Sequence, residues 1–441
     1  MNLPQKVSYI ISALESAGFS AYAVGGAVRD SIMGVQANDW DITTSALPQE
    51  VKAVFSQLPV IETGIKHGTV SVILDGEQFE VTTFRTESGY SDHRHPDSVS
   101  FSNNIEDDLS RRDFTMNAIA YSERGFVDTF GGMADIKAGI IRCVGDPETR
   151  FNEDALRILR AARFSSVLGF EIEEKTKSAM RKCKGLLKNV SAERIFVELK
   201  KLLCGKNVFA VLDECRDIVF EIIPELSACD GFDQKNHHHV HDVYGHIIRS
   251  VEAVDCDVVL RLTMLLHDVA KPDCFFLGDD QMGHFYGHHK LSAEAALVIL
   301  RRLKCDNETL DDVVFLIESH MTELRPEKKL VKRRLSKMGE RRLRMLVEVQ
   351  KADTIGCGTG ENMDKLFEYE RLINEVAREG LCFSLKSLAV NGRDIIDEGI
   401  AEGAQIGKLL EHLLECVIEE KVENEKGALL KEARQFVTTL S

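Results

Sequence analysis

The residues best suited to chemistry come early, in Ala21-Tyr-Ala-Val-Gly-Gly-Ala-Val-Arg-Asp30 and Asn38-Asp-Trp-Asp-Ile-Thr43. An apolar run from Tyr22 to Val24 predicts a short buried strand that stops at Gly25-Gly26. Paired glycines allow a sharp turn there and let backbone N–H groups approach an anion. A short helix is expected from Ala27, with Arg29 in its first turn and Gly34 as its stop. Asp39 and Asp41 follow at i and i+2, a spacing that on a strand points both carboxylates to one face. Like charges held that close repel unless a divalent cation lies between them and a phosphate. A phosphate cradle followed by a metal clamp is what nucleotidyl transfer requires. Glu80, on a neighbouring strand, is either a third carboxylate of this group or an ordinary strand-surface residue.

A second group lies in Arg150-Phe-Asn-Glu-Asp-Ala-Leu-Arg-Ile-Leu-Arg-Ala-Ala-Arg-Phe164, which predicts one helix with Asp154, Arg157, Arg160 and Arg163 at three-residue steps. Asp154 and Arg157 would be surface neighbours, as a plain ion pair or as a base reader. Cytosine and adenine each present an amine donor beside a ring-nitrogen acceptor; Asp accepts from the first and Arg donates to the second. Uracil and guanine reverse that pattern, so a fixed Asp/Arg pair would admit C and A and reject U and G. Arg111-Arg112-Asp113, ahead of an expected helix containing Phe114, offers guanidinium groups to triphosphate oxygens or else forms a surface ion-pair cluster. Residues 85–100, with Arg85, Tyr90, Asp92, Arg94 and Pro96, show no periodicity and are expected to form a long mobile loop or else a passive hairpin insert.

The elements that must position these groups can be read from the same chain. Leu3, Val7, Ile10, Ile11 and Leu14 recur at helical spacing, which excludes a signal peptide. Residues 46–55 predict a helix, with Thr43-Thr44-Ser45 offering its N-cap. Residues 66–74 and 78–84 predict a hairpin turning at Asp75-Gly76. From Gly145 onward the pattern turns helical. At 441 residues the chain should hold two to four domains. Its apolar runs are too short to span a membrane. Eleven scattered cysteines without a CxxC argue for reduced thiols and a cytoplasmic setting, and against a zinc–thiolate site. The net charge of −16 lowers the odds of nucleic-acid binding without excluding a local basic face.

Taken together, Gly25-Gly-Ala-Val-Arg-Asp30, Asp39-Trp-Asp41, the 84–101 stretch, Arg111-Arg-Asp-Phe-Thr-Met-Asn-Ala118 and Glu153-Asp-Ala-Leu-Arg157 resemble the bacterial class II CCA tRNA nucleotidyltransferases of the polymerase-β-like superfamily. The resemblance runs from about residue 20 to 205 and includes Ser191-Ala-Glu-Arg-Ile-Phe-Val-Glu-Leu-Lys-Lys-Leu-Leu203. It implies an α+β fold: a mixed-sheet head over 1–145, an all-α neck and body over 146–235, then an α-helical domain and a helical tail. It also implies that Asp39 and Asp41 are catalytic and bind Mg²⁺, and that Gly26, Arg29 and Arg112 contact the triphosphate. By the same resemblance Asp154 and Arg157 read the base, supported by Arg160 and Arg163. The implied reaction is template-independent addition of C, C and A from CTP and ATP to the tRNA 3′ end. In this family the loop is needed for the final A, and here it is full length.

In the second half, His246, His267-Asp268, His288, His320 and Asp353 resemble the metal-binding set of HD phosphohydrolase domains, placing such a domain over 236–360 and the tail over 361–441. Imidazoles and carboxylates on converging helices would make a mixed N/O site for a second divalent metal. Residues 325–344 carry ten Lys/Arg and two acidic residues, either a phosphate-backbone contact or a solvated helical face. Residues 419–425 are expected as a solvated helix. Two alternatives stay open: a bacterial poly(A) polymerase, which shares the head motifs, and an HD phosphohydrolase whose head only binds RNA.

Overall fold

A computed structural model describes the chain except residues 38, 63, 91–97, 237–239, 280, 361, 379–383 and 441, and except the side chains of 66, 439 and 440. Asp92, Arg94 and Pro96 of the expected loop therefore lie outside the described residues. The chain divides into two units, Met1–Pro224 and Glu225–Ser441.

In the first unit the strands are β1 Ala21–Val24, β2 Asp41–Thr44, β3 Val60–Ile61, β4 Thr69–Leu74, β5 Glu77–Thr83, β6 Arg85–Ser88, β7 Ser98–Phe101, β8 Ala120–Ser122 and β9 Gly125–Val127, with a separate parallel pair of β10 Ile140–Ile141 and β11 Glu171–Ile172. Seven of them form one mixed sheet in the order β3-β4-β5-β2-β1-β8-β9. Within it β2 and β5 run parallel and the other neighbours antiparallel. The predicted turn between β4 and β5 is present, with Asp75 at φ +50° and Gly76 at φ +78°. Two consecutive positive φ values are what a two-residue type I′ hairpin needs. On either side of residues 91–97, which lie outside the described ones, β6 and β7 pair as a separate antiparallel ribbon, from Arg85↔Phe101 to Ser88↔Ser98, as the hairpin-insert alternative expects. Thr86 and Ser88, like Val99 and Phe101, keep a period of two that a short ribbon can use.

Helix α1 (Gln5–Ser16) buries Val7, Ile10, Ile11 and Leu14, as their spacing predicts. Helix α2 (Gly26–Ile32) starts directly after Gly25, whose φ +82°, ψ −140° belongs almost solely to glycine. Helix α3 (Pro48–Val54) begins later than expected. Thr43 and Thr44 lie inside β2 and cannot cap it; the Glu50 carboxylate accepts from the Leu47 amide instead, at 2.7 Å. The helix expected after Asp113 lies before it, as α4 (Ile105–Ser110), and Thr115–Asn117 forms a single 3-10 turn.

Helix α5 (Gly132–Ala138) leads to α6 (Pro147–Glu153) and α7 (Leu156–Leu168). The run read as one helix is thus broken at Asp154, where φ is −139° and ψ 103°. Its side chain accepts from the Leu156 amide at 3.1 Å, because aspartate favours a cap over a helix interior. Helices α8 (Glu174–Cys183), α9 (Ala192–Leu203), α10 (Val208–Glu214) and α11 (Arg216–Ile222) complete the unit.

The second unit is helical. Its elements are α12 Val243–Ala253, α13 Val258–Leu266, α14 Lys271–Cys274, α15 His288–Arg302, α16 Asn307–Ser319, α17 Lys328–Cys357, α18 Met363–Arg378, α19 Gly392–Asp397, α20 Gln405–Ile418 and α21 Lys426–Leu440. Helix α17 bends at Gly339, φ +77°. Gly356 lets α17 approach α12 closely: a Cβ there would lie 1.9 Å from Ser250 Oγ and 2.9 Å from the His246 carbonyl. The tail has a core of its own, formed by Val390, Ile395, Leu409, Leu413, Leu429 and Ala433 among others. The 419–425 run is a connection rather than a helix, turning at Glu420 with φ +61°. Among the described residues no helix is long and apolar enough to cross a membrane.

Candidate functional sites

Asp41 opens β2 directly opposite Val24, the last residue of β1. Its carboxylate and the Arg112 guanidinium flank the glycine turn: a Cβ on Gly25 would lie 3.7 Å from Asp41 Oδ2 and 3.2 Å from Arg112 Nη1. Asp39 is exposed and precedes the strand, so the i, i+2 strand geometry does not bring the pair together. Charge does link them. Desolvation raises the Asp41 carboxyl above its ordinary range; Arg112 pulls it down, and Asp39 and Glu80 push it further up. Glu80 takes part because parallel pairing sets Ile42 beside Val81. This all-oxygen, mutually repelling donor set suits a hard divalent cation. The tightest groupings of ligand atoms among the described residues lie in the second unit.

The two adjacent arginines have different surroundings. Arg111 grips Asp108 at 2.7 Å and reaches Glu87 at 3.3 Å, whereas Arg112 makes one longer contact, 3.3 Å to Asp108. The Arg112 Nε is buried with no hydrogen-bond partner among the described residues. Glu87, on β6, also accepts from Arg85 at 2.8 Å and from the Tyr90 hydroxyl at 2.6 Å. Sequence reading missed this hub; the alternation of Arg85 and Glu87 with Thr86 and Ser88 was its available signal.

Arg29, Arg160 and Arg163 converge on one ring. Their guanidinium carbons lie 5.1, 5.4 and 3.6 Å from the centre of Phe164. Each is held by a protein acceptor as well. Arg29 donates to Asp30 and to Asn117 Oδ1 at 2.7 Å; Arg160 donates to Asp113 Oδ2 at 2.7 Å; Arg163 donates to Glu198 at 2.8 Å. Asp113 also accepts from the Phe114 amide and from Asn117. Gly26 lies in the same corner, where an added Cβ would come 3.7 Å from Arg29 Nη2.

The break at Asp154 places the two proposed base readers at the cap and in the first turn of α7 rather than inside one longer helix, and the Arg157 amide still donates to the Asp154 carbonyl at 3.0 Å. Asp154 accepts from Arg194 of α9 at 2.8 Å. Arg157 donates to Glu153 at 2.6 Å and to the carbonyls of Arg150 and Arg111 at 3.1 and 2.8 Å. Arg194 sits within the Ser191-Ala-Glu-Arg segment and was not singled out as a partner.

In the second unit all six predicted metal-binding residues meet. His246 Nε2 lies 3.1 Å from both Asp268 and Asp353, and 3.0 Å from His267 Nε2. His288 Nε2 lies 3.2 Å from Asp268 and 3.2 Å from His320 Nε2. Two ligand groups thus share Asp268: His246, His267 and Asp353 on one side, His288 and His320 on the other. His267, His288 and His320 place Nδ1 2.7 to 2.8 Å from the carbonyls of Met264, Phe285 and Ile317. A carbonyl only accepts, so Nδ1 carries a proton, and an ion at the centre would be met by Nε2. Nitrogens facing one another at these distances suit a shared cation. Burial and the neighbouring His267 lower His320 to about 4, keeping that ring neutral. Lys271, absent from the sequence reading, contacts Asp268 at 2.7 Å. A cavity of about 350 Å³ opens on the cluster. In the basic stretch, Lys328, Lys332, Arg333, Arg341, Arg342 and Arg344 each pair with a carboxylate, which favours the solvated-face reading for them.

Residues 21–142 match the poly A polymerase head domain, 169–229 the probable RNA and SrmB-binding site of polymerase A, and 284–433 a tRNA nucleotidyltransferase domain 2. The chain is 33% identical to the CCA-adding enzyme of Ligilactobacillus salivarius, over 99% of this chain and 98% of that one. Against the Lactobacillus helveticus CCA-adding enzyme identity rises to 54%, over 45% of this chain and 50% of that one. The crystal structure of the Bacillus stearothermophilus CCA-adding enzyme with CTP is 32% identical, covers 100% of this chain and 99% of its own, and superposes with a TM-score of 0.71.

Asp113 supplies a test of the Phe164 frame. Burial pushes its carboxyl up, but Arg160 and Asn117 outweigh that and hold it at about 2. The stability it contributes is therefore present above about pH 4, the unfolded value, and is lost as pH falls towards 2. Asp113→Asn should cost about 2 kcal/mol at neutral pH and flatten the loss of stability between about pH 4 and 2. Urea unfolding followed through Trp40, the single tryptophan, reads out the first unit. Parallel pH profiles for wild type and variant would refute this role.

Proposed function

The chain belongs to the CCA-adding enzymes, and from that membership we infer which of its side chains carry the reaction. Its activity is addition of C, C and A to the 3′ end of tRNA, with CTP and ATP as the other substrates. End-to-end alignment with a CCA-adding enzyme is the observation that carries this reading.

Enzymes of this family use a divalent metal. In our reading Asp39 and Asp41 hold Mg²⁺, with Glu80 beside them; bound there, the ion would acidify the RNA 3′-hydroxyl and neutralise phosphate charge. Gly25 and Gly26 keep the turn bare, so that the triphosphate can approach the backbone of α2. Arg112, the less engaged of the two adjacent arginines, meets the phosphates. The 3′-oxygen forms its bond to the α-phosphorus as the bond to pyrophosphate breaks. Asp154 and Arg157 choose C and A. Arg29, Arg160 and Arg163, predicted as nucleotide contacts, act mainly by holding α7 against α2 around Phe164. Functionally the chain divides into the head 1–145, the neck and body 146–235, the HD domain 236–360 and the tail 361–441. The described cysteines are free thiols, which supports a cytoplasmic setting.

A second activity is favoured by the buried His/Asp cluster and its cavity. We assign it metal-dependent hydrolysis of phosphomonoesters or 2′,3′-cyclic phosphates.

Purified protein, tRNA ending at the discriminator base, and CTP, ATP or both should yield three added nucleotides in the order C-C-A. A-only tailing of generic RNA would overturn the assignment. Asp41→Ala is expected to lower incorporation about a thousandfold or more without touching the second activity; retained incorporation would remove Asp41 from the metal site. Arg157→Ala should reduce discrimination against UTP and GTP about tenfold or more, and unchanged selectivity would refute its role as a base reader. His267→Ala should lose bound divalent metal, measured by elemental analysis, together with any phosphate release, while CCA addition continues. Metal retained at the wild-type level would sink the second assignment.

A further inference from the structure

The tail holds a third ligand set, chemically unlike the other two. His412 and Cys416 are four residues apart on one face of α20, and Glu432 faces them from α21. His412 Nε2 lies 3.1 Å from Glu432 Oε1 and 3.5 Å from Cys416 Sγ, and Sγ lies 3.9 Å from Oε1. A tetrahedral Zn²⁺, with bonds of about 2.0 Å to nitrogen or oxygen and about 2.3 Å to sulfur, sets its ligand atoms about 3.3 to 3.6 Å apart. The observed sides of 3.1, 3.5 and 3.9 Å lie within about 0.3 Å of that range, so small side-chain shifts would close the triangle on an ion. The His412 ring is stacked on Phe436, with centres 3.8 Å apart and 16° between planes, so its orientation is set before any ion arrives. Cys416 is buried, while His412 and Glu432 keep 28% and 25% of their side chains exposed, which leaves a route in. The neighbouring Leu413 and Ala433 belong to the tail core, so the three ligands close one edge of that core.

We propose that His412, Cys416 and Glu432 bind Zn²⁺ as a clip between α20 and α21, with solvent in the fourth position. The thiolate separates this site from the His/Asp cluster, whose donors are nitrogen and oxygen, and marks it for a softer ion. Zn²⁺ binding takes the Cys416 proton into solvent, leaves the His412 proton on Nδ1 in place of Nε2, and replaces the His412–Glu432 hydrogen bond with two metal bonds. Each helix then contributes at least one ligand, so loss of the ion loosens the hairpin.

Cobalt is the probe, because only a cysteine ligand gives thiolate-to-cobalt charge transfer in the near ultraviolet. Metal-stripped full-length protein titrated with Co²⁺ should develop that band. It should persist in Cys357→Ala, which alters the cysteine beside the His/Asp cluster, and vanish in Cys416→Ala. Glu432→Gln, which preserves shape, should weaken the cobalt affinity behind the band about tenfold or more, with the far-ultraviolet circular dichroism unchanged. No band in wild type, a band that survives in Cys416→Ala, or wild-type affinity in Glu432→Gln would each overturn the clip.

Discussion

A buried carboxylate is costly unless hydrogen bonds and a cation compensate its lost water, and the first unit is arranged around meeting that condition at Asp113. Asp113 takes bonds from a backbone amide, from Asn117 and from Arg160. Asn117 in turn accepts from Arg29, and Glu198 accepts from Arg163. All three guanidiniums then lie against Phe164, where the ring face favours positive charge. The result is a closed set of contacts tying the helix after the glycine turn to α7 and α9. Breaking one member strands a buried charge, so the corner behaves as a unit.

Against that frame the acidic group at Asp41 stands out by contrast. Asp113 and Asp108 are held below the usual carboxylate range by their arginines, whereas Asp41 is raised. The protein thus spends its cations on structural carboxylates and leaves Asp39, Asp41 and Glu80 with Arg112 as their near neighbour. Carboxylates left repelling one another beside a glycine turn are what the proposed Mg²⁺ site would need. The His/Asp cluster follows the same logic with imidazoles: a proton held on Nδ1 from behind by a carbonyl leaves Nε2 facing inward.

Local patterns carried much of this in the sequence. Apolar spacing located α1, Asp75-Gly76 located the hairpin, and the order of six His and Asp residues located a cluster that the fold assembles completely. What could not be read were the pairings across the chain. Nothing near Asp113 in sequence announces Arg160, and nothing near Asp154 announces Arg194, because those partners are set by packing of α7 and α9. The helix over 150–164 was misjudged for a related reason: its composition is helical, but one aspartate gains more by capping than by continuing. The tail was read only as helical because His412 and Cys416 meet Glu432 across two helices, and the absence of a CxxC says nothing about a group with a single cysteine.

The break at Asp154 changes how base selection has to be understood. On one continuous helix, Asp154 and Arg157 would keep a fixed spacing, suited to one base shape. Here each is held by a different partner: Asp154 by Arg194, Arg157 by Glu153 and by the Arg111 carbonyl. Arg111 is bound through its side chain to Glu87 on β6, and Glu87 also holds Arg85 at the start of that strand and Tyr90 just beyond its end. A continuous line of contacts therefore runs from the ribbon to Arg157, one of the two proposed base readers, without passing through Asp154. Movement of the ribbon would reach the arginine by that line and leave the bond between Asp154 and Arg194 alone. In the proposed reading, acceptance of first a pyrimidine and then a purine would use that asymmetry rather than a rigid pair.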